Sequence, residues 1–176
     1  MYTEAVVEEY IKAYREVKDV KYIGVAQTDK PNAQGFRDTI ILVGNDTLIN
    51  AKIIANGNQT VGTCAIGFKG DELRVQAIKV ADQHRNNGIG SAIIGLANDI
   101  ARANDKEMMT VSSLPSALPF YISQDFKLDT TESNNQGIFC LCRSVYEQPQ
   151  TSRFETVSCD QTKTCPFATM TTNLNQ

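Results

Sequence analysis

The chain has 176 residues, with 17 Lys/Arg against 20 Asp/Glu for a formal charge of −3, and 41% of its residues are hydrophobic. That length suits one domain, which at this size buries about two thirds of its unfolded surface. Eleven glycines and five prolines exclude collagen-like and low-complexity classes. Mild acidity without a Lys/Arg block argues against nonspecific nucleic-acid binding and against a polybasic membrane contact. The stretch Met1–Glu9 is acidic where a secretion signal is basic, and no apolar run approaches the ~18 residues of a membrane helix. The expectation is a soluble, cytoplasmic protein with neither nucleic acid nor membrane as partner.

From Thr3 to Asp19, Val6, Val7, Tyr10, Ile11 and Tyr14 recur at helical spacing, with acids early as a helix dipole prefers. Tyr22 to Gln27 reads as a short strand, and Asp29-Lys30-Pro31-Asn32 with Gly35 as a loop. Ile40–Val43 and Leu48–Ala55 are rich in β-branched residues. The turn Asn56-Gly57-Asn58 follows, then a returning strand, Thr60–Phe68, and another, Leu73–Val80. The first half is therefore a helix followed by an antiparallel meander.

The second half differs. Ile89, Ala92, Ile93, Leu96, Ile100 and Ala103 share one stripe, predicting an amphipathic helix over Ile89–Ala103. Met108–Ser112 reads as a strand, closing a strand–helix–strand crossover from Leu73. Ser116 is a candidate cap for a short helix from Ala117 to Gln124, with Pro119 in its tolerant first turn. Phe126–Leu128 and Ile138–Tyr146 look like closing strands around the loop Asp129–Gln136. Residues 1–146 form the expected domain. The polar, Thr-rich extension 147–176 is expected to pack on the body or on a second subunit, and its run Phe154-Glu155-Thr156-Val157 suggests a homodimer contact.

Five cysteines, Cys64, Cys140, Cys142, Cys159 and Cys165, show no Cys-x-x-Cys spacing, and with one histidine, His84, they complete no zinc quartet. No metal is expected. Cys140 and Cys142 read as free thiols on one strand face. A Cys159–Cys165 disulfide requires an oxidising compartment that nothing else in the sequence suggests.

Val80-Ala81-Asp82-Gln83-His84-Arg85-Asn86-Asn87-Gly88-Ile89-Gly90-Ser91 joins a strand to the long helix. Amides at a helix start have no internal partners, and the dipole makes that end electropositive. Gly88 lets an anion approach the main chain, Gly90 removes a side chain from the first turn, and Ser91 adds a hydroxyl. Such a loop favours a pyrophosphate, although the same glycines serve a plain strand-to-helix turn. A Walker loop is absent, since no Gly-x-x-x-x-Gly-Lys-Ser/Thr string exists. The dinucleotide fingerprint fails as well, because Ile93 stands where its third glycine belongs and Gly88 lies too far beyond Val80.

What remains resembles the GCN5-related N-acetyltransferase superfamily. Its acetyl-CoA signature, Gln/Arg-x-x-Gly-x-Gly/Ala, stands here as Arg85-Asn86-Asn87-Gly88-Ile89-Gly90, after a strand ending Ala77-Ile78-Lys79-Val80. A second feature, Ala-x-x-x-Tyr-x-x-x-Gly-Phe, appears as Ala117 through Tyr121 to Phe126, with Asp125 in place of the glycine. The resemblance implies an α/β (α+β) fold with a mixed, mostly antiparallel V-shaped sheet flanked by helices, splayed between Leu73–Val80 and Met108–Ser112. It implies acetyl-CoA as cosubstrate, with pantetheine along Ile78, Lys79 and Val80, and pyrophosphate on Arg85, Asn86, Asn87, Gly88, Ile89, Gly90 and Ser91.

The implied activity is direct transfer of acetyl to an amine of a small molecule or peptide, with Tyr121 as general acid for the leaving thiolate. The base is less well marked. Arg74 occupies the position of the glutamate used by histone-acetylating members, and Glu72, two residues earlier on the same face, is the candidate. Glu72 also reads as a solvated hairpin charge, Tyr121 as a packing aromatic, and His84 as a solvent-exposed or loop-packed residue on the phosphate side. Leu114 replaces an asparagine frequent in the family. The alternative function is a degenerate member that binds acetyl-CoA or CoA as a sensor or assembly partner.

Overall fold

The computed structural model describes residues 4–16, 19–28, 30–32, 34–55, 59–129, 137–147 and 157–158. Helix α1 (Glu4–Arg15) leads into β1 (Tyr22–Gln27), β2 (Thr39–Gly44), β3 (Leu48–Ile54), β4 (Thr60–Lys69) and β5 (Glu72–Val80). Then come α2 (Ile89–Ala103), β6 (Met108–Ser113), α3 (Leu118–Ser123), β7 (Lys127–Leu128), β8 (Phe139–Ser144) and the short β9 (Val157–Ser158). Among the described residues, the nine strands form one sheet in the order β7-β8-β6-β5-β4-β3-β2-β1-β9. Every pairing is antiparallel except β5–β6, which the α2 crossover makes parallel.

The two sheet faces carry different cores. On one, Ile11 of α1 packs with Val20, Ile23, Val25, Ile41, Val43 and Ile54. On the other, α2 buries Ile89, Ile93, Ile94, Leu96 and Ile100 against Leu42, Ile53, Ile66, Leu73 and Val75. Each such aliphatic side chain contributes about 1.5–3 kcal/mol on full burial, so the apolar stripe holds α2 firmly on the sheet. The predicted bounds of α2 are met residue for residue, because its stripe is continuous and long. Among the described residues, no helix is long and apolar enough to cross a membrane.

Ser116 is not a helix cap. A 3₁₀ turn, Pro115–Ala117, leads into α3, Ala117 occupies the N-cap position, and no side chain caps it. Asp125, which stands in place of the motif's glycine, adopts a left-handed conformation at φ 63°, one an aspartate tolerates better than most residues. Cys64 and Cys142 are free thiols. The Asn56-Gly57-Asn58 turn, the Cys159–Cys165 pairing and nearly all of the 147–176 extension lie outside the described residues, as do Asp29 and positions 130–136 of the two loops. Beyond 147, the description covers Val157 and Ser158, opposite Ile23 and Tyr22.

Candidate functional site

Strand β5 is two half-strands in one. Glu72–Val75 pairs with Met108–Val111 of β6, and there the parallel ladder stops. Strand β6 continues to Ser113 with β8 alone, and β5 continues to Val80 with β4 alone. The sheet therefore splits between them, as the resemblance implied. The split coincides with a bulge, since Ala77 pairs with Ala65 and Val75 with Ile66, leaving Gln76 unmatched. Leu73 and Val75 face α2 before it, and Ile78 and Val80 pack against the same core after it. A regular strand cannot place 75 and 78 on one face. Gly62 holds β4 close to this end, because a Cβ there would stand 2.6 Å from the Lys79 carbonyl oxygen.

Past Val80 the chain makes a 3₁₀ turn, Asp82–His84, and enters the loop before α2. Arg85 is exposed, and its Nε donates to the Val80 carbonyl at 3.1 Å while Nη2 pairs with Asp82 at 3.0 Å. Asn86 (φ 64°) and Gly88 (φ 83°) both adopt left-handed conformations. These two residues turn the chain into α2, whose first amides have no partners within the helix. Gly88 is the N-cap of α2, no side chain caps that terminus, and a Cβ at Gly88 would meet nothing within 4 Å. The approach is open and the donors are main chain. A diphosphate fits this set, while an acidic cap would have competed with it.

Gly90 serves a different purpose from Gly88. A Cβ on it would lie 2.7 Å from Cζ of Phe120, so its missing side chain seats α3 on the first turn of α2. Gln124 Nε2 donates to Ser91 Oγ at 3.0 Å across the same junction. Behind it, Arg143 of β8 donates to the Gln124 carbonyl at 2.8 Å and to Asn98 Oδ1 of α2 at 3.1 Å. Phe120, Gln124 and Arg143 escape the sequence reading because their partners lie on other elements.

Tyr121 is buried in the α2-side core, with ring edges against Phe120 and Phe126 at centroid distances of 5.0 and 5.7 Å. Burial pushes its phenol up to about 12, and the neighbouring thiol of Cys64 adds to the shift. Cys64, itself held at about 12 by burial, pairs with Ile78 of β5. Tyr121 thus lies near the split half of β5. Glu72 lies at the paired end, on the face opposite α2. Its Oε2 accepts from Thr110 Oγ1 at 3.3 Å and pairs with Arg74 Nη2 at 3.5 Å. The structure gathers Ile78–Val80, the Arg85–Ser91 loop and Tyr121 at one end, and leaves Glu72 apart from them.

His84 is packed into the loop, as expected, with Nδ1 standing 3.8 Å from Oδ2 of the fully buried Asp38 and neither atom hydrogen-bonded. Asp38 Oδ1 accepts from Asn32 at 3.2 Å, so this pair sets the start of the phosphate loop against the β1–β2 connection. Among the described residues, no group of three or more His, Cys, Asp or Glu gathers to hold a metal.

A split sheet leading to a helix start without a side-chain cap is the arrangement the resemblance implied. The family model for the acetyltransferase (GNAT) domain matches residues 18–141, more than half of the chain. The chain belongs to that family. Solved structures agree in fold. The PaiA N-acetyltransferase of Thermoplasma acidophilum, determined in complex with coenzyme A, is 11% identical over 56% of this chain and 61% of that one, with a TM-score of 0.50. A GNAT-family acetyltransferase of Staphylococcus aureus Mu50 is 15% identical over 57% and 70%, at 0.51. Nourseothricin acetyltransferase is 18% identical over 72% and 86%, at 0.50. The chain therefore spans under two thirds of the length of the Thermoplasma protein. A comparison with curated proteins found no match.

Proposed function

We propose that this chain moves an acetyl group from acetyl-CoA to the amine of a small molecule or peptide, with the coenzyme seated between the split strands. One observation supports this above the others: the β5 bulge at Gln76 and the end of the β5–β6 ladder coincide, and the freed edge leads through the Asp82–Gly88 turn and loop to an uncapped helix start. Main chain of Ile78, Lys79 and Val80 would hold the pantetheine arm, and amides from Arg85 to Ser91 would hold the diphosphate. When bound, the coenzyme supplies an acyl group activated as a thioester.

The chain's own part in proton transfer follows from Tyr121. An ordinary thiol has a pKa near 8.5. A phenol at about 12 is the weaker acid by about 3.5 units, so it does not simply release its proton to a thiolate. Tyr121 therefore acts as a hydrogen-bond donor that gives up its proton only as another is returned, the acceptor amine being the source. On the amine side, a lysine-like group near 10.4 costs about 4–5 kcal/mol to deprotonate at neutral pH. Glu72, the candidate acceptor, carries both Arg74 and Thr110 on its Oε2.

That engagement of Glu72 favours a second reading, a member that binds the coenzyme without turnover. Calorimetry with CoA followed by an amine panel with thiol detection separates the two. Heat of binding with acceptor-dependent thiol release is expected. Binding without release on any amine supports the second reading, and no heat at all sinks both.

A further inference from the structure

We propose that Gln124 is a positioning residue for the cofactor loop: it occupies a lone pair of Ser91 Oγ so that the serine proton is presented to the coenzyme's phosphate. The inference rests on the functional reading above and adds a residue to it. A hydroxyl has one proton and two acceptor sites, whereas a diphosphate accepts only. If Ser91 donates outward, its other neighbour must donate to it, and Gln124 Nε2 stands 3.0 Å away to do so. A serine without that neighbour spends its proton on water or on a helix carbonyl.

The neighbour is itself held. Gln124 is the C-cap of α3, its N–H bonding to the carbonyls of Phe120 and Tyr121. Its own carbonyl accepts from Arg143, a side chain in a residue 9% exposed whose other arm grips Asn98 in α2. Phe120 covers Gly90 one turn earlier. The phosphate loop and the helix bearing Tyr121 are therefore joined at two adjacent residues of α2, Gly90 through packing and Ser91 through a hydrogen bond. Phosphate engaged at Ser91 steadies the C-terminal turn of α3, and with it the Tyr121 ring.

A double-mutant cycle tests the assignment, with calorimetric affinity for CoA and the melting midpoint as readouts. Ser91→Ala and Gln124→Leu are each expected to weaken CoA about 3–10-fold, the range of one net hydrogen bond. Gln124→Glu weakens it further, because a carboxylate takes the serine proton and brings negative charge toward the phosphate. Ser91→Ala/Gln124→Leu binds no more weakly than Ser91→Ala alone, since the glutamine acts through the serine. Gln124→Met serves in place of leucine if branching disturbs α3. Unchanged affinity in Gln124→Leu, or effects of the two single variants that multiply, overturns the proposal while leaving the function standing. No heat with the unmodified protein overturns the function and this proposal together.

Discussion

The two ends of β5 are one strand in opposite situations. From Glu72 to Val75 its main chain is paired on both edges, and what it offers is side chains: a carboxylate engaged by Arg74 and Thr110. From Gln76 to Val80 it is paired on one edge only, and what it offers is backbone. A bound cosubstrate recognised by main chain needs the second situation and is indifferent to the first. Under the proposed function the chemistry belongs to the split end, where Tyr121 also lies, and Glu72 is left in a role that stability measurements can assign.

The largest expected effect comes from Tyr121→Phe. The ring packing against Phe120 and Phe126 survives, while the donor is lost. Turnover should fall about 10²-fold or more, with CoA affinity within a factor of two of the starting protein. A matching loss of affinity would show that the phenol holds the cavity's shape rather than moving a proton.

Gly90→Ala tests whether the second loop glycine serves α3 or the phosphate. Alanine in a helix gains up to about 1 kcal/mol over glycine, but overpacking against Phe120 costs about 1–3. The expected result is a net loss near 1 kcal/mol by urea unfolding and about tenfold weaker CoA. With Phe120→Ala in the background, the same change should become neutral or stabilising. A loss of equal size in both backgrounds would separate Gly90 from the α3 contact.

The raised phenol of Tyr121 gives a pH test with a defined sign. Its folded pKa of about 12 exceeds the ordinary value near 10, so the folded state holds the proton more tightly. The stabilisation is fully present below pH 10 and is lost as pH rises toward 12. The stability of the unmodified protein should fall between pH 9.5 and 11.5 more than that of Tyr121→Phe. The difference between the two isolates this group from Cys64, which shifts in the same direction. Parallel curves would place the phenol in contact with water.

What the sequence disclosed follows the same division between backbone and side chain. Helix α2 was legible because its apolar stripe is periodic, and the loop because glycine and hydroxyl residues at a helix start report main-chain geometry. The bulge at Gln76 was written in the spacing of Leu73, Val75, Ile78 and Val80, where a step of three breaks the alternation of two. The partners of Glu72 and Ser91 were illegible. Thr110 and Gln124 are far along the chain, and only folding places them beside their partners. Ser116 misled because a cap requires that the helix begin at the next residue, and the 3₁₀ turn moved that start.

Glu72→Gln should have the smallest effect, and it decides what the paired end of β5 is for. The ion pair with Arg74 joins side chains about one third exposed, where such pairs contribute about 0–1 kcal/mol. Glutamine keeps an acceptor for the Thr110 hydroxyl and removes the charge, so unfolding free energy should shift by less than about 1 kcal/mol. If Glu72 is a salt-bridge residue, thiol release at saturating amine changes less than threefold, and its pH profile keeps its shape. If it draws the proton from the amine after shedding its partners, release falls by at least about 10²-fold while CoA affinity holds. Arg74→Ala then separates the cases further, because freeing a working base raises activity and freeing a structural carboxylate does not. The split end would then supply the grip and the paired end the proton acceptor, on opposite faces of one strand.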